Sequence, residues 1–434
     1  MEKSLRNVAS KKRFLHLVPI AFITYSLAYF DRANYSFGAA GGMAHDLNIT
    51  TGVASFLSAL FFLGYFFFQI PGAAYAEKRS AKKLVFVSLI LWGLLASATG
   101  LVHNVAWLYP IRFFLGVVES AVMPAMLVFL SNWFLKEERS RANTFLILGN
   151  PVTVLWMSIV SGYLLKVLDW RGMFIVEGIP AIVWAFFWWK LVENKPEEAK
   201  WLTDEEKENI ASEMKEEQKG MIKVAGYKEM FRNKTVLILA VQYFAWSIGV
   251  YGFVMWLPSM IKAASHMDIV ATGWLSAAPY LLATIGMIAV SYFSDKTLNR
   301  KTFVWVSLLI GTIAFYGSYL IGSSNFCFSY ALLVIAGGAM YAPYGPFFAI
   351  MPEILPKNVS GSANAFINSM GALGSFVGAY IVGFLNGATG STQASFIFMA
   401  ISLLVSVLLT LMVRAKKQAS PLAPENLEAK AVLK

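Results

Sequence analysis

Apolar runs of about twenty residues recur twelve times along this chain of 434 residues, and nothing else in the sequence constrains the fold as tightly. An α-helix rises about 1.5 Å per residue, so about 20 apolar residues cover the roughly 30 Å hydrocarbon core of a bilayer. The runs fall near 14–38, 51–75, 83–103, 105–134, 142–165, 172–192, 234–258, 269–293, 302–322, 325–351, 360–385 and 391–413. Several hold Gly and Pro, as in "GNP" at 149–151 and "YAPYGP" at 341–346. Membrane helices tolerate these because neighbouring helices re-satisfy the freed backbone groups. Charged residues make up 14% of the chain, against about 25% in a soluble protein. The expected fold is therefore all-α and integral to the membrane, with twelve transmembrane helices. The basic "KKR" at 11–13 is followed by no A-x-A cleavage site, so the first run is expected to be retained as a helix.

Twelve crossings return the chain to its starting side, and the basic residues say which side that is. Arg32 and Arg112 fall inside runs. Of the other Lys and Arg, five lie in the N-terminal segment, four in 76–83, three in 135–141, ten in 190–234 and three in 294–301; Lys357 and five C-terminal residues complete that side. Only Lys166, Arg171 and Lys262 fall on the opposite side, a split of 31 to 3. Such a bias is expected to place both termini in the cytoplasm. The net charge of +11 is thus a topology signal, and no nucleic-acid partner is expected.

The chain also repeats itself. "AEKRSAKK" (76–83) joins the second and third runs, and "SDKTLNRK" (294–301) joins the eighth and ninth. Each has an acid followed by a base, then a basic pair five residues after the acid. "RANTFLILG" (141–149) likewise matches "SANAFINSMG" (362–371) at Ala-Asn-x-Phe. Two related six-helix halves describe a carrier that rocks about a central site. The expected units are 1–192, a cytoplasmic linker at 193–233, and 234–434 with its tail. Within the linker, Thr203 and Glu206 have the spacing of a helix capping box. Trp201, Ile210 and Met214 are expected to lay one side on the membrane surface.

The two-half plan and the acid–base loops resemble the major facilitator superfamily. "YFDRANYSF", "QIPGAAYAEK", "RFFLGVVESAVMPA" and "NWFLKEERSRA" narrow the resemblance to its anion:cation symporter branch, which carries sugar acids and other organic anions. Within the branch the chain is most similar to bacterial hexonate carriers, those for 2-ketogluconate in particular. The family's loop motif is Gly-x-x-x-Asp-Arg-x-Gly-Arg/Lys. Here Glu77 replaces the Asp and Ser80 the second Gly, while the acid and base remain. A conformational latch is expected at Glu77, Lys78 and Lys82 and, in the second half, at Asp295, Lys296 and Arg300.

Ionisable groups at mid-membrane cost roughly 2.5–3.5 kcal/mol each on insertion scales, so those present are expected to function or to pair. The clearest are Asp31, Arg32, Arg112 and Glu119, two acids and two bases. Arg112 and Glu119 are seven residues apart, on one face of their helix and about 10 Å apart along it. Guanidinium suits a carboxylate because its fork donates two parallel hydrogen bonds. Arg32 and Arg112 are therefore expected to bind an anion, and Asp31 and Glu119 to carry protons. The competing reading is four charges that staple helices together, which is costly when pairs are buried. The resemblance adds Tyr65, Gln242, Asn368 and Asn150 as substrate-binding positions, with Tyr341 and Tyr344 flanking the cavity. Inter-helix hydrogen bonding is the alternative for each amide. Glu177, Glu193 and Asp169 are expected at membrane interfaces.

No phosphate loop of the form G-x-x-x-x-G-K-[ST] occurs, so ATP is not expected to drive the protein. The one cysteine, Cys327, and four scattered histidines offer neither a disulfide framework nor a metal cluster. No cofactor, metal or enzymatic activity is expected. The sequence describes a monomeric, proton-coupled symporter of a monovalent sugar acid. Its rivals are an organic-phosphate exchanger and a non-transporting membrane sensor. The first is disfavoured because the last six runs hold no Lys or Arg away from their ends.

Overall fold

The computed structural model describes residues 2–219, 231–322, 324–354 and 357–413. The side chains of Asp31 and Arg32 lie outside the described residues, so those two positions are placed by backbone alone. Every regular element among the described residues is helical. Among the described residues, eleven helices are long and apolar enough to cross a membrane, and one of them, Phe145–Leu191, is two spans joined at a kink. The kink is at Asp169, whose φ of 60° reverses the chain. Its carboxylate accepts the amides of Arg171 and Gly172, capping the helix that follows. Twelve crossings result.

Span 1 is Glu2–Gly38, prolonged by a π-helix at Ala39–Met43. Spans 2 and 3 are Thr51–Lys78 and Ala81–Gly100. Span 4 runs from Leu108–Ser120 into Val122–Trp133, and spans 5 and 6 share Lys136–Leu191. Spans 7, 8 and 9 are Lys234–Ser265, Ile269–Thr297 and Arg300–Ile321. Span 10 is broken between Phe326–Tyr341 and Tyr344–Ile354, at the Ala342-Pro343 step. Proline has no amide to give and crowds the preceding turn, which is why the helix breaks there. Spans 11 and 12 are Lys357–Thr389 and Gln393–Met412. Short polar side chains start many of these helices: Thr50, Ser80, Asn233, Asp268 and Asn325 each accept an amide from the first turn.

The first six spans pack on one another, as do the last six, and the halves meet where span 2 faces span 11, span 5 faces span 8 and span 1 faces span 7. Small residues bring the helices close, as van der Waals packing in lipid requires. On the side away from the termini the seam is tight. Gly383 lies against Ser55 and Trp256, Gly387 against Thr51, and Gly273 against the Ser158 carbonyl. The repeat also holds in space: Ala142 and Ala363, from the two Ala-Asn-x-Phe copies, are both buried near the starts of spans 5 and 11.

The segment after span 6 turns the side that carries Trp201 and Ile210 to the first half and packs on it. Trp201 stacks on Trp133 of span 4 at 5.5 Å and meets the His16 ring at 4.4 Å. Ala199, Leu202 and Ile210 are buried. The capping box is present, with Thr203 and Glu206 exchanging amide–side-chain hydrogen bonds, and Glu206 also accepts from Lys12 at 2.6 Å. Burial favours the neutral form of Glu206, but the Lys12 ammonium and the Thr203 amide outweigh it and hold the carboxyl below its usual range. Beside it Arg13, itself buried, donates from Nη2 to both carboxylate oxygens of Glu138 at 3.0 and 2.9 Å.

Candidate functional site

A cavity of about 80 Å³ lies between the two halves, smaller than the roughly 300–1,000 Å³ of open small-molecule sites. Helical spacing puts each wall residue there. Phe62, Tyr65 and Gln69 form one face of span 2; Tyr243, Ser247 and Tyr251 form one face of span 7, four residues apart each time. Tyr25, Met123, Ile147 and Asn150 complete the first wall, from spans 1, 4 and 5. Tyr344 and Phe348 of span 10 and Asn368, Gly371, Ala372 and Ser375 of span 11 complete the second.

Seven of these sixteen side chains are aromatic and five carry an amide or an aliphatic hydroxyl. The walls therefore offer both ring faces and neutral donors and acceptors. Phe62 meets Tyr251 across the halves at 4.7 Å, nearly edge to face. Tyr243 stacks on Phe347 at 5.2 Å, and its ring rests against Gly371, where an added Cβ would sit 2.3 Å from it. Ser369 donates to the Gln69 side chain at 3.4 Å, tying span 11 to span 2. None of the described lining residues is charged.

The first half also buries charge, on residues that do not line the cavity. Glu119 is 1% exposed and Arg112 is 2% exposed, both on span 4. The Arg112 guanidinium lies over the rings of Tyr35 at 4.2 Å and Phe61 at 5.3 Å, and its Nε donates to the Leu57 carbonyl at 3.4 Å. Glu177 is 4% exposed and accepts from Ser161 of span 5 at 2.8 Å. It was expected at an interface; span 6 instead carries it inside the bundle.

The family model for the Major Facilitator Superfamily matches residues 21–379 and 260–434. The chain belongs to that superfamily. A putative tartrate transporter of Agrobacterium vitis is 29% identical over 96% of this chain and 93% of its own length. A quinolone resistance transporter of Acinetobacter baumannii is 27% identical over 95% and 96% respectively. The hexuronate transporter of Bacillus subtilis (strain 168) is 24% identical over 88% and 90%. Among solved structures, a bacterial homologue of the human lysosomal transporter Spinster, inward-facing and occupied, overlays with a TM-score of 0.74 at 14% identity, covering 92% of this chain and 96% of that one.

Within this superfamily fold, four of the residues singled out from sequence line the cavity: Tyr65, Asn150, Tyr344 and Asn368. Three do not. Gln242 is wholly buried and donates to Ser406 at 2.9 Å and Thr410 at 3.2 Å, both on span 12. One residue further is a turn of about 100°, and that turn brings Tyr243 to the cavity instead. Tyr341 stands behind Tyr344, between it and Tyr280, at 5.6 and 5.9 Å. Arg112 is drawn into the ring pair described above, on the outer part of span 4. Arg32 and Asp31 are on span 1, their side chains outside the described residues. Sequence reasoning missed Tyr25, Tyr243 and Tyr251, and also Gln69, Ser247 and Ser375. The Tyr-x₃-Ser-x₃-Tyr stripe of span 7 was the available signal.

The two loop motifs of the superfamily sit at helix ends and differ in chemistry. In the second, Arg300 pairs with Asp295 at 2.6 Å. In the first, among the described residues, Glu77 makes no ion pair with Lys78 or Lys82. Ser80 holds that turn instead. It caps span 3 through the Lys83 amide and donates to Asn194, which also accepts the Lys82 amide. Ser80 is extended (φ −159°), so the turn needs no glycine there. Lys82 lies over the Trp189 ring at 4.8 Å.

Proposed function

We propose that this protein is a proton-coupled symporter of a monovalent sugar acid, of the class of 2-ketogluconate, gluconate and galactonate. The observation that carries the reading is the neutral, hydrogen-bonding and ring-lined cavity, with Glu119 buried in span 4 about one helical turn before the cavity-lining Met123. A polyol needs such donors and acceptors, because each hydroxyl buried without a partner is penalised. Relatives named for tartrate and hexuronate support an organic acid as cargo. Arg32 grips the carboxylate, while Tyr65, Asn150, Tyr344 and Asn368 meet the hydroxyls. Asp31 and Glu119 take up protons. The halves 1–192 and 234–434 then rock about the cavity, with 193–233 between them, and the loop motifs latch the basic face. That face is cytoplasmic by the bias of Lys and Arg, and the membrane is a bacterial inner membrane, as the resemblance to bacterial carriers implies.

The test is uptake of labelled 2-ketogluconate, gluconate and galactonate by vesicles under an imposed proton gradient. Accumulation that collapses with the gradient is expected. Glu119→Gln, a permanent mimic of the protonated acid, should keep exchange and lose gradient-driven accumulation. Binding without accumulation would favour a sensor. Export of a quinolone with no uptake of any sugar acid would replace the cargo.

A further inference from the structure

Spans 1 and 7 belong to different halves and meet along a line that holds two polar contacts in the same register. The hydroxyls of Tyr29 and Tyr251 are 3.0 Å apart. Eleven residues further along each span, the Lys262 ammonium donates to the carbonyl of Ala40 at 2.5 Å. Eleven residues make about three helical turns, or about 16 Å, so both contacts fall on one side of each helix. The positions are not incidental to the cavity. The Tyr251 ring lines it and packs on Phe62, while Tyr29 stands behind that wall. Lys262 ends span 7 on the side away from the termini, and Ala40 lies in the π-helix that prolongs span 1. A lysine at a membrane surface normally extends its amine to water. Here the amine is half-buried and turned to a main-chain oxygen of the opposite half.

We propose that the Tyr29–Tyr251 and Lys262–Ala40 contacts form a two-point clasp that closes the cavity on the side away from the termini. Tyr29, Tyr251 and Lys262 are then positioning residues for transport: both bonds break when spans 1 and 7 part, and both re-form when the cavity is sealed from that side. The clasp rests on the transporter reading for its purpose, but its existence can be measured with no substrate present.

The experiment uses the full chain in lipid nanodiscs, with Cys327→Ala removing the native thiol and Ser55→Cys reporting. Ser55 is buried against Gly383 on the same side of the seam, so its thiol reacts only when the halves separate there. Tyr29→Phe and Lys262→Met should each raise the labelling rate by about threefold to tenfold, the effect of one lost hydrogen bond on a two-state equilibrium. Combined, the two should multiply, because the bonds are separate. Tyr29→Phe with Tyr251→Phe should do no more than either alone, because both remove one bond. Lys262→Gln, which keeps a donor, should return part of the protection. The proposal is overturned if Tyr29→Phe/Lys262→Met labels at the parental rate, or if the two tyrosine changes multiply. Unchanged labelling with intact sugar-acid uptake would remove the clasp and leave the symporter. Responsive labelling with no uptake of any sugar acid would do the reverse.

Discussion

Gly273→Ala tests the closed seam at its narrowest main-chain approach between spans 5 and 8. A Cβ at position 273 would lie 2.5 Å from the carbonyl oxygen of Ser158, where ordinary contact begins at 3.4 Å. The helices must therefore part by about 0.9 Å, the difference of those two distances, and no side-chain rotation can relieve a clash with a main-chain atom. Overpacking of this kind costs about 1–3 kcal/mol. The cost falls on the state in which this seam is closed and vanishes when the halves separate there. The closed-to-open ratio should drop by about 5- to 150-fold. Labelling of Ser55→Cys should rise accordingly, and uptake should slow because the carrier dwells open on that side. Gly116→Ala is the control. Its Cβ would meet the Phe61 carbonyl at less than contact distance, but spans 2 and 4 belong to one half. Both states bear that clash, so melting temperature should fall while labelling of the folded fraction stays constant. Gly273→Ala with parental labelling and parental uptake would refute the assignment of this seam to one conformational state.

Two further outcomes separate binding from scaffolding. Asn368→Ala should weaken binding of the transported sugar acid about 2- to 10-fold by isothermal titration, as one neutral hydrogen bond is lost. Gln242→Ala should leave that affinity unchanged and lower the melting temperature, since its partners are Ser406 and Thr410; a weakened affinity with unchanged melting would restore Gln242 to the binding site. The docked helix Asp204–Lys219 should respond to acid. The carboxyl of Glu206 titrates lower in the folded protein than in the unfolded chain, so its contribution is present at neutral pH and is lost as pH falls below the usual carboxylate range. Hydrogen exchange across 204–219, corrected for intrinsic rates, should rise in acid, and Glu206→Gln should raise it at neutral pH. Exchange that ignores both would mean the ion pair to Lys12 does not hold the helix.

The sequence by itself determined the number of crossings and the related halves, because lipid leaves a chain little choice. Every backbone group must bond within its own helix, so each span appears as an apolar run of membrane length. The Thr203–Glu206 box was also legible, since a cap depends on a few adjacent residues. Tyr65, Asn150 and Asn368 were reached through the family resemblance, residue by residue, with Tyr344 beside them. The rotation of each helix about its own axis could not be read, because both faces of a central span are apolar or aromatic. That rotation sends Gln242 to span 12 and Tyr243 to the cavity, and it turns Glu177 inward to Ser161. It also joins Tyr29 to Tyr251 across 222 residues of chain. Such pairings are decided by which small residues let two helices approach and which rings fill the space between them. Those are properties of two surfaces in contact, and they exist only once the halves have come together.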